Sequence, residues 1–346
     1  MASAAPASGP NSGSADEVGS GIERYSIPCG SVAGVPIRLH LLLPLVMLLS
    51  AAAAAFAGQG ITGVFFVVLV SGPLVLLTVL VHELGHVLAA RRCGCTPDSI
   101  LLWPLGGLAL IDASAIGPRQ QIVISGAGPA THLPMIAIWM ALMAATNDGQ
   151  VTTSTAGMSF EHHFIALVCV AMLLNNIGMF LFNLLIPCFP LDCSQIILAS
   201  MLLCGSEVGT AAMVMVGLSA PILVILAGIG IYGYFTGTPS ATLHIMLAVW
   251  LGAQSWKLHQ ARLEGRLASY PLFANAMRMQ ADCRSGPASA GDSGGRAGSF
   301  KPFQGEGVTL GRPAAPPPSS QVCMGAALAA IVAVTVACQV SAPGTQ

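Results

Sequence analysis

Charge is what this sequence lacks. Of its 346 residues only 8% are Asp, Glu, Lys or Arg, and aromatic residues make up 6%. A water-soluble domain carries about 25% charged residues, because it must keep its surface solvated. With 54% hydrophobic residues and a mean hydropathy of +0.77, this chain cannot cover itself against water. It reads as an integral, multi-pass membrane protein rather than a soluble enzyme. An excess of one sign is missing too. The 13 Lys and Arg stand against 14 Asp and Glu, so there is no basic field to attract nucleic acid. The cysteines number 10 but show no tight spacing, which excludes a disulfide-stapled secreted fold. No apolar run leads the chain and no Arg precedes Arg24, so neither a cleaved signal peptide nor a transit peptide is expected.

What is abundant is apolar sequence. Residues 1–22 are small and polar and read as a disordered tail. Apolar runs then follow at Leu39–Ala57, Ile61–Ala90, Gln121–Ala145, Phe164–Pro187, Gly209–Phe235 and Ala241–Trp256. A membrane-crossing helix needs about 20 residues, and these runs predict an all-α, polytopic protein with about six transmembrane helices. Ser71-Gly72-Pro73 interrupts the second run, where a kink is expected. The linkers Gly58–Gly60, Thr146–His163 and Thr236–Ser240 contain no Lys, Arg or Cys. Arg24, Arg38, Arg91, Arg92, Arg119, Lys257, Arg262 and Arg266 all fall on the opposite side of that arrangement. By the positive-inside rule this puts the N-terminus in the cytosol. The transmembrane core is expected over residues 23–270 and a flexible linker over 271–321, rich in Gly, Ser, Ala and Pro from Asp282 onward. An apolar segment closes the chain at 322–346. Its Ala-rich run Val322–Val340 has two open readings, a seventh span or a tail lying at the interface.

Within the second apolar run stands His82-Glu83-Leu84-Gly85-His86, an HExxH pattern. The i, i+4 spacing puts both imidazoles on one helical face, one turn apart, where they can reach a single Zn²⁺. Glu83 beside them can take a proton from water. Chance alone places such a pattern in a chain of this composition about once in 300. Two histidines and a glutamate inside a membrane span are costly unless paired or liganded, so a metal site outweighs a coincidental pair of buried histidines. Tetrahedral zinc at an open site needs a third protein ligand. Asp192 is the other acid clearly placed in or beside an apolar span, after the helix-breaking Pro187 and Pro190. It has two readings, a third ligand or a cap on the helix that follows. Cys188 and Cys193 are alternative thiolate ligands or small apolar core residues.

Together these segments resemble the site-2 protease family of intramembrane zinc metalloproteases. His82 to His86 resembles its first motif, and Pro187 to Asp192 its second, a proline-rich turn ending in Leu-Asp-Gly. Gly34 to His40, Pro104 to Gly107 and Gly126 to Pro129 resemble neighbouring segments, in the family's order over about residues 30 to 200. The resemblance implies one zinc per chain held by His82, His86 and Asp192, with Glu83 as the base. It also implies peptide-bond cleavage within the transmembrane segments of membrane-protein substrates. Leu101–Ile111 would be a membrane-dipping strand or hairpin after the motif helix, to whose edge an unwound substrate adds by strand pairing. The chain departs from the family in having Cys193 after Asp192, one extra residue between Asn183 and Pro187, and His132 where relatives commonly have Asn. An inert relative that binds membrane clients without cutting them is the alternative. A metal-ion transporter is a weaker one, because no second membrane carboxylate follows Asp192.

Other polar residues are ambiguous. Asn175 and Asn176 can serve a ligand histidine or the substrate, or bridge two helices. His162, His163 and His244 read as interfacial or packed. Cys93 and Cys95 lack a second ligand pair nearby, which argues against a separate zinc knuckle.

Overall fold

A computed structural model describes residues 25–112, 116–152, 160–237, 241–285 and 319–323. Strands β1 (Ser26–Val32) and β2 (Val35–His40) pair as an antiparallel hairpin. Helices α1 (Leu42–Phe56), α2 (Gly60–Leu69) and α3 (Val75–Arg92) follow. Strands β3 (Thr96–Trp103) and β4 (Gly106–Asp112) form a second hairpin. The helical series resumes with α4 (Pro118–Ala130), α5 (His132–Thr146), α6 (Phe160–Leu185) and α7 (Asp192–Leu203). It ends with α8 (Val208–Phe235), α9 (Ala241–Leu263) and α10 (Pro271–Ser285). A last strand, β5 (Ser319–Cys323), pairs antiparallel with β4.

The expected hairpin after the motif helix is therefore part of a five-stranded sheet in the order β1-β2-β3-β4-β5. Strands β2 and β3 are parallel, so the chain between them must cross over. That crossover is α1 to α3, and the motif helix at its end leads directly into β3. Strand β2 alternates buried Val35 and Ile37 with an exposed Pro36, the period of a half-buried strand. It takes Leu39 and His40, which the apolar pattern had assigned to the first span.

Ser71-Gly72-Pro73 does interrupt the second span. Val70–Leu74 forms a wide π-type turn with non-helical backbone at Gly72, because Pro73 has no N–H to donate and its ring crowds the preceding turn. Four helical stretches among the described residues are long and apolar enough to cross a membrane: Gly60–Arg92, Pro118–Thr146, His163–Leu185 and Val208–Phe235. The chain is thus an integral membrane protein, mostly helical with a small sheet. A count of about six is reached only if α1 and α9 also cross, which length and composition alone do not give. Large apolar side chains on the helical surface point outward, Phe56 at 93% and Phe235 at 82% exposure.

Of the stretch expected as a linker, residues 271–285 form α10, whose Asn275 donates to the Ile116 carbonyl and Gln280 to the Ser206 carbonyl. Residues 286–318, the tail 1–22 and the apolar segment beyond Cys323 lie outside the described residues.

Candidate metal centre

Buried polarity is concentrated where α3, α4, α5, α6 and α7 meet. His82, Glu83 and His86 on α3 are fully buried, as are His132 on α5 and Asn176 on α6. Asp192 is the first residue of α7 and is 2% exposed. The chain reaches it through a turn after α6 in which the Leu191 N–H bonds the Cys188 carbonyl. The Phe189 N–H donates to Ser219 of α8 at 2.9 Å, and Ser255 of α9 donates to the Phe189 carbonyl. The turn is therefore pinned from two helices, and the acid projects inward instead of capping. No side-chain cap bond forms at the start of α7.

The three sequence-assigned ligands come together. His82 Nε2 and His86 Nε2 lie 3.0 Å apart. Asp192 Oδ2 is 3.2 Å from the first and Asp192 Oδ1 is 3.4 Å from the second. They are the one group of metal-competent side chains among the described residues, and neither Cys188 nor Cys193 belongs to it.

The outer hydrogen bonds decide which ring nitrogens face inward. His86 Nδ1 is 2.7 Å from the Ile124 carbonyl. A carbonyl only accepts, so Nδ1 carries the proton and Nε2 turns a lone pair to the centre. For His82 the same logic runs through two residues. Asn176 Nδ2 donates to the Met172 carbonyl, leaving its Oδ1 to accept from His132 Nδ1 at 3.0 Å. His132 Nε2 then accepts from His82 Nδ1 at 2.9 Å, so His82 Nε2 also faces the centre with a lone pair. Two lone pairs and a carboxylate converging in a buried space repel unless a cation lies between them. Tetrahedral zinc with bonds near 2.0–2.1 Å separates its ligands by about 3.3 Å, close to the spacing here. The donor set therefore fits zinc, with each imidazole held by an outer partner, as metal-ligating histidines usually are.

Two glycines explain how the neighbours come so close. A Cβ at Gly128 on α4 would collide with the His86 and His82 imidazoles. A Cβ at Gly107 on β4 would collide with the Glu83 side chain. Within Gly126-Ala127-Gly128-Pro129 it is Gly128 that makes room for the ligands, and the sheet reaches the glutamate through Gly107.

The three departures from the family pattern take definite places in the structure. Cys193 lies inside the first turn of α7 and is not among the positive-φ residues, so glycine's freedom is not required there. Asn183 donates to the Met179 carbonyl of its own helix, and its buried Oδ1 has no partner. His132 takes part in orienting His82, a role that the sequence signalled only as a substitution. The Ile124 carbonyl carried no sequence signal, because any residue supplies a carbonyl.

Residues 73–152, which carry His82, Glu83 and His86, match the family described as Peptidase family M50. Among curated proteins the chain is similar to Rip3 of Mycobacterium tuberculosis H37Rv, named as a zinc metalloprotease, with 28% identity over 261 residues. That alignment takes in 72% of this chain and 62% of the relative, so the chain spans less than two thirds of that relative's length. A zinc metalloprotease of Methanocaldococcus jannaschii is 28% identical over 175 residues, covering 51% of this chain and 45% of the relative. Among solved structures, the site-2 protease from Methanocaldococcus jannaschii aligns with a TM-score of 0.46 at 18% identity, over 67% of this chain and 94% of that one. The resemblance to the site-2 protease family read from the motifs is thus met by the family match over the segment that holds the HExxH pattern.

Proposed function

We propose that this chain is an intramembrane zinc metalloprotease that cuts peptide bonds in the transmembrane segments of other membrane proteins, with His82, His86 and Asp192 as ligands and Glu83 as the base. The observation that carries this reading is the convergence of two inward lone pairs and a carboxylate beside a buried glutamate. Zinc, when bound, supplies a Lewis acid for the scissile carbonyl and lowers the pKa of the attacking water. Glu83 takes the proton of that water and delivers it to the leaving amine. His132 and Ile124 hold the two imidazoles in the tautomers that keep Nε2 available. Strand β4, lying over Glu83 through Gly107, has a side away from β3 that would pair with an extended substrate in place of β5 and expose its peptide bond. The reading also places the N-terminus and the sheet on the cytosolic side, where Arg91 donates to the Ala33 carbonyl beside the sheet.

One ground for an inert relative, a glycine needed for positive φ after Asp192, is removed, since Cys193 lies within helix α7 and is not a positive-φ residue. A transporter would need further polar sites along a path, and the described residues hold one metal-competent group. The test is co-reconstitution with a panel of tagged single-span proteins in vesicles. The wild type should release a tagged fragment, while zinc-loaded Glu83→Ala should release none. Cleavage by Glu83→Ala at the wild-type rate would remove Glu83 as the base.

A further inference from the structure

The edge of β4 that faces the site is not free. Strand β5 pairs along it in antiparallel register, Ile111 opposite Ser319, Leu110 opposite Ser320, Ala109 opposite Gln321, Leu108 opposite Val322 and Gly107 opposite Cys323. Gly107 is the residue that lies against Glu83. Neighbouring strands run about 4.8 Å apart, so the backbone of Cys323 stands one strand spacing from the residue that covers the base. Strand β5 also approaches α7, the helix that begins with Asp192. It therefore packs on both β4, which carries Gly107, and α7, which carries Asp192.

The same segment opens an apolar run that continues from Val322 to Val340, about the length of a bilayer crossing. An extended strand leading into such a run has the chemistry of the proposed substrates. We propose that Ser319–Cys323 is an internal competitor for the substrate edge of β4, so that a substrate must displace this segment before it is cut. The proposal rests on the protease reading above. An edge strand away from water needs its N–H and C=O groups paired, and the tethered segment pairs them whenever substrate does not. Tethering gives it an effective concentration in the millimolar range, enough to hold off weak clients.

Two experiments on the zinc-loaded full chain test this. Cysteine pairs are placed at Ala109→Cys with Gln321→Cys and at Leu110→Cys with Ser320→Cys, and the disulfide is located by peptide mapping against the single-cysteine controls. Alternate antiparallel pairs differ in spacing, so at least one of the two should cross-link. The second experiment uses the variant Gln321→Pro with Val322→Pro. Alternate residues donate to the ladder, so this pair removes one ladder N–H whichever residue faces β4. A fluorescent peptide of residues 316–326 should bind it at least about 10-fold more tightly than wild type, by anisotropy. Where cleavage is measured, the Pro pair should lower KM and leave kcat unchanged. No cross-link at either pair, equal peptide affinities, or an unchanged KM would each overturn the competitor role. Cross-linking and the affinity difference without cleavage by any variant would instead overturn the protease reading and leave the strand docking in place.

Discussion

The stretch Gly60–Arg92, which ends in α3, and helix α8 are both long and apolar enough to cross a membrane, yet α3 and α8 are built in opposite senses. On α3 the inward face carries His82, Glu83 and His86, all fully buried. On α8 the inward face carries mostly small residues, Ala211, Ala212, Ser219, Gly230 and Gly233, beside Val208 and Met215, while Val224, Ile225, Tyr232, Tyr234 and Phe235 point outward. Small residues let helices approach closely where no hydrophobic force draws them together. Gly230 does this against Ile245 of α9, with no room for a Cβ. Hydropathy thus identifies what can face lipid in both helices but is blind to which of them holds a site. The polar exceptions carry that information. The two imidazoles are tolerated because Ile124 of α4, His132 of α5 and Asp192 of α7 lie against their ring nitrogens, where an unpaired polar group at mid-membrane would be costly.

Substitutions that strike the inner face of α3 and the outer face of α8 should break or sharpen this contrast. The largest effect is expected at Glu83. With zinc retained, Glu83→Ala should lower cleavage by about 10²- to 10⁴-fold, measured as fragment release per bound zinc. Gly128→Val follows, because even a Cβ there meets both imidazoles. Overpacking should cost about 1–3 kcal/mol and displace the ligands, seen as a lowered Tm in detergent together with lost zinc. His132→Ala removes the acceptor of the His82 Nδ1 proton and should weaken zinc about 10- to 100-fold in a chelator competition. His132→Asn should recover part of that loss, since an amide oxygen can accept the same proton. At the other pole, Ile225→Ala on the outer face of α8 should leave zinc content unchanged and shift stability by no more than about 0.5 kcal/mol. A large effect at Ile225 would show that this face packs against protein instead of lipid.

The polar site was legible in the sequence because its chemistry is local. The i, i+4 histidines, the glutamate between them and the proline-broken turn before Asp192 are short-range patterns, and the structure brings His82, His86 and Asp192 together. The kink at Ser71-Gly72-Pro73 was legible for the same reason, since Pro73 disrupts the helix wherever it stands. What depends on distant pairing was not. Strand β2 merges into an apolar run at Leu39, so composition assigned its last two residues, Leu39 and His40, to the first span. Strand β5 lies in a stretch rich in Ser, Pro and Ala and gains its shape from β4. The relay from Asn176 through His132 to His82 joins residues 44 and 50 positions apart, and no short-range pattern links its members. The number of crossings is illegible for a different reason: α1, with 15 residues, falls below the usual crossing length.

The proposed function stands or falls on whether three side chains from α3 and α7 hold one metal ion. Zinc per chain, measured by elemental analysis on detergent-purified protein beside His86→Ala and Asp192→Ala, tests it without knowledge of any substrate. The account predicts about one zinc per wild-type chain and loss or strong weakening in both variants. A folded wild type without zinc, or an Asp192→Ala variant that binds it as tightly as wild type, would contradict the account.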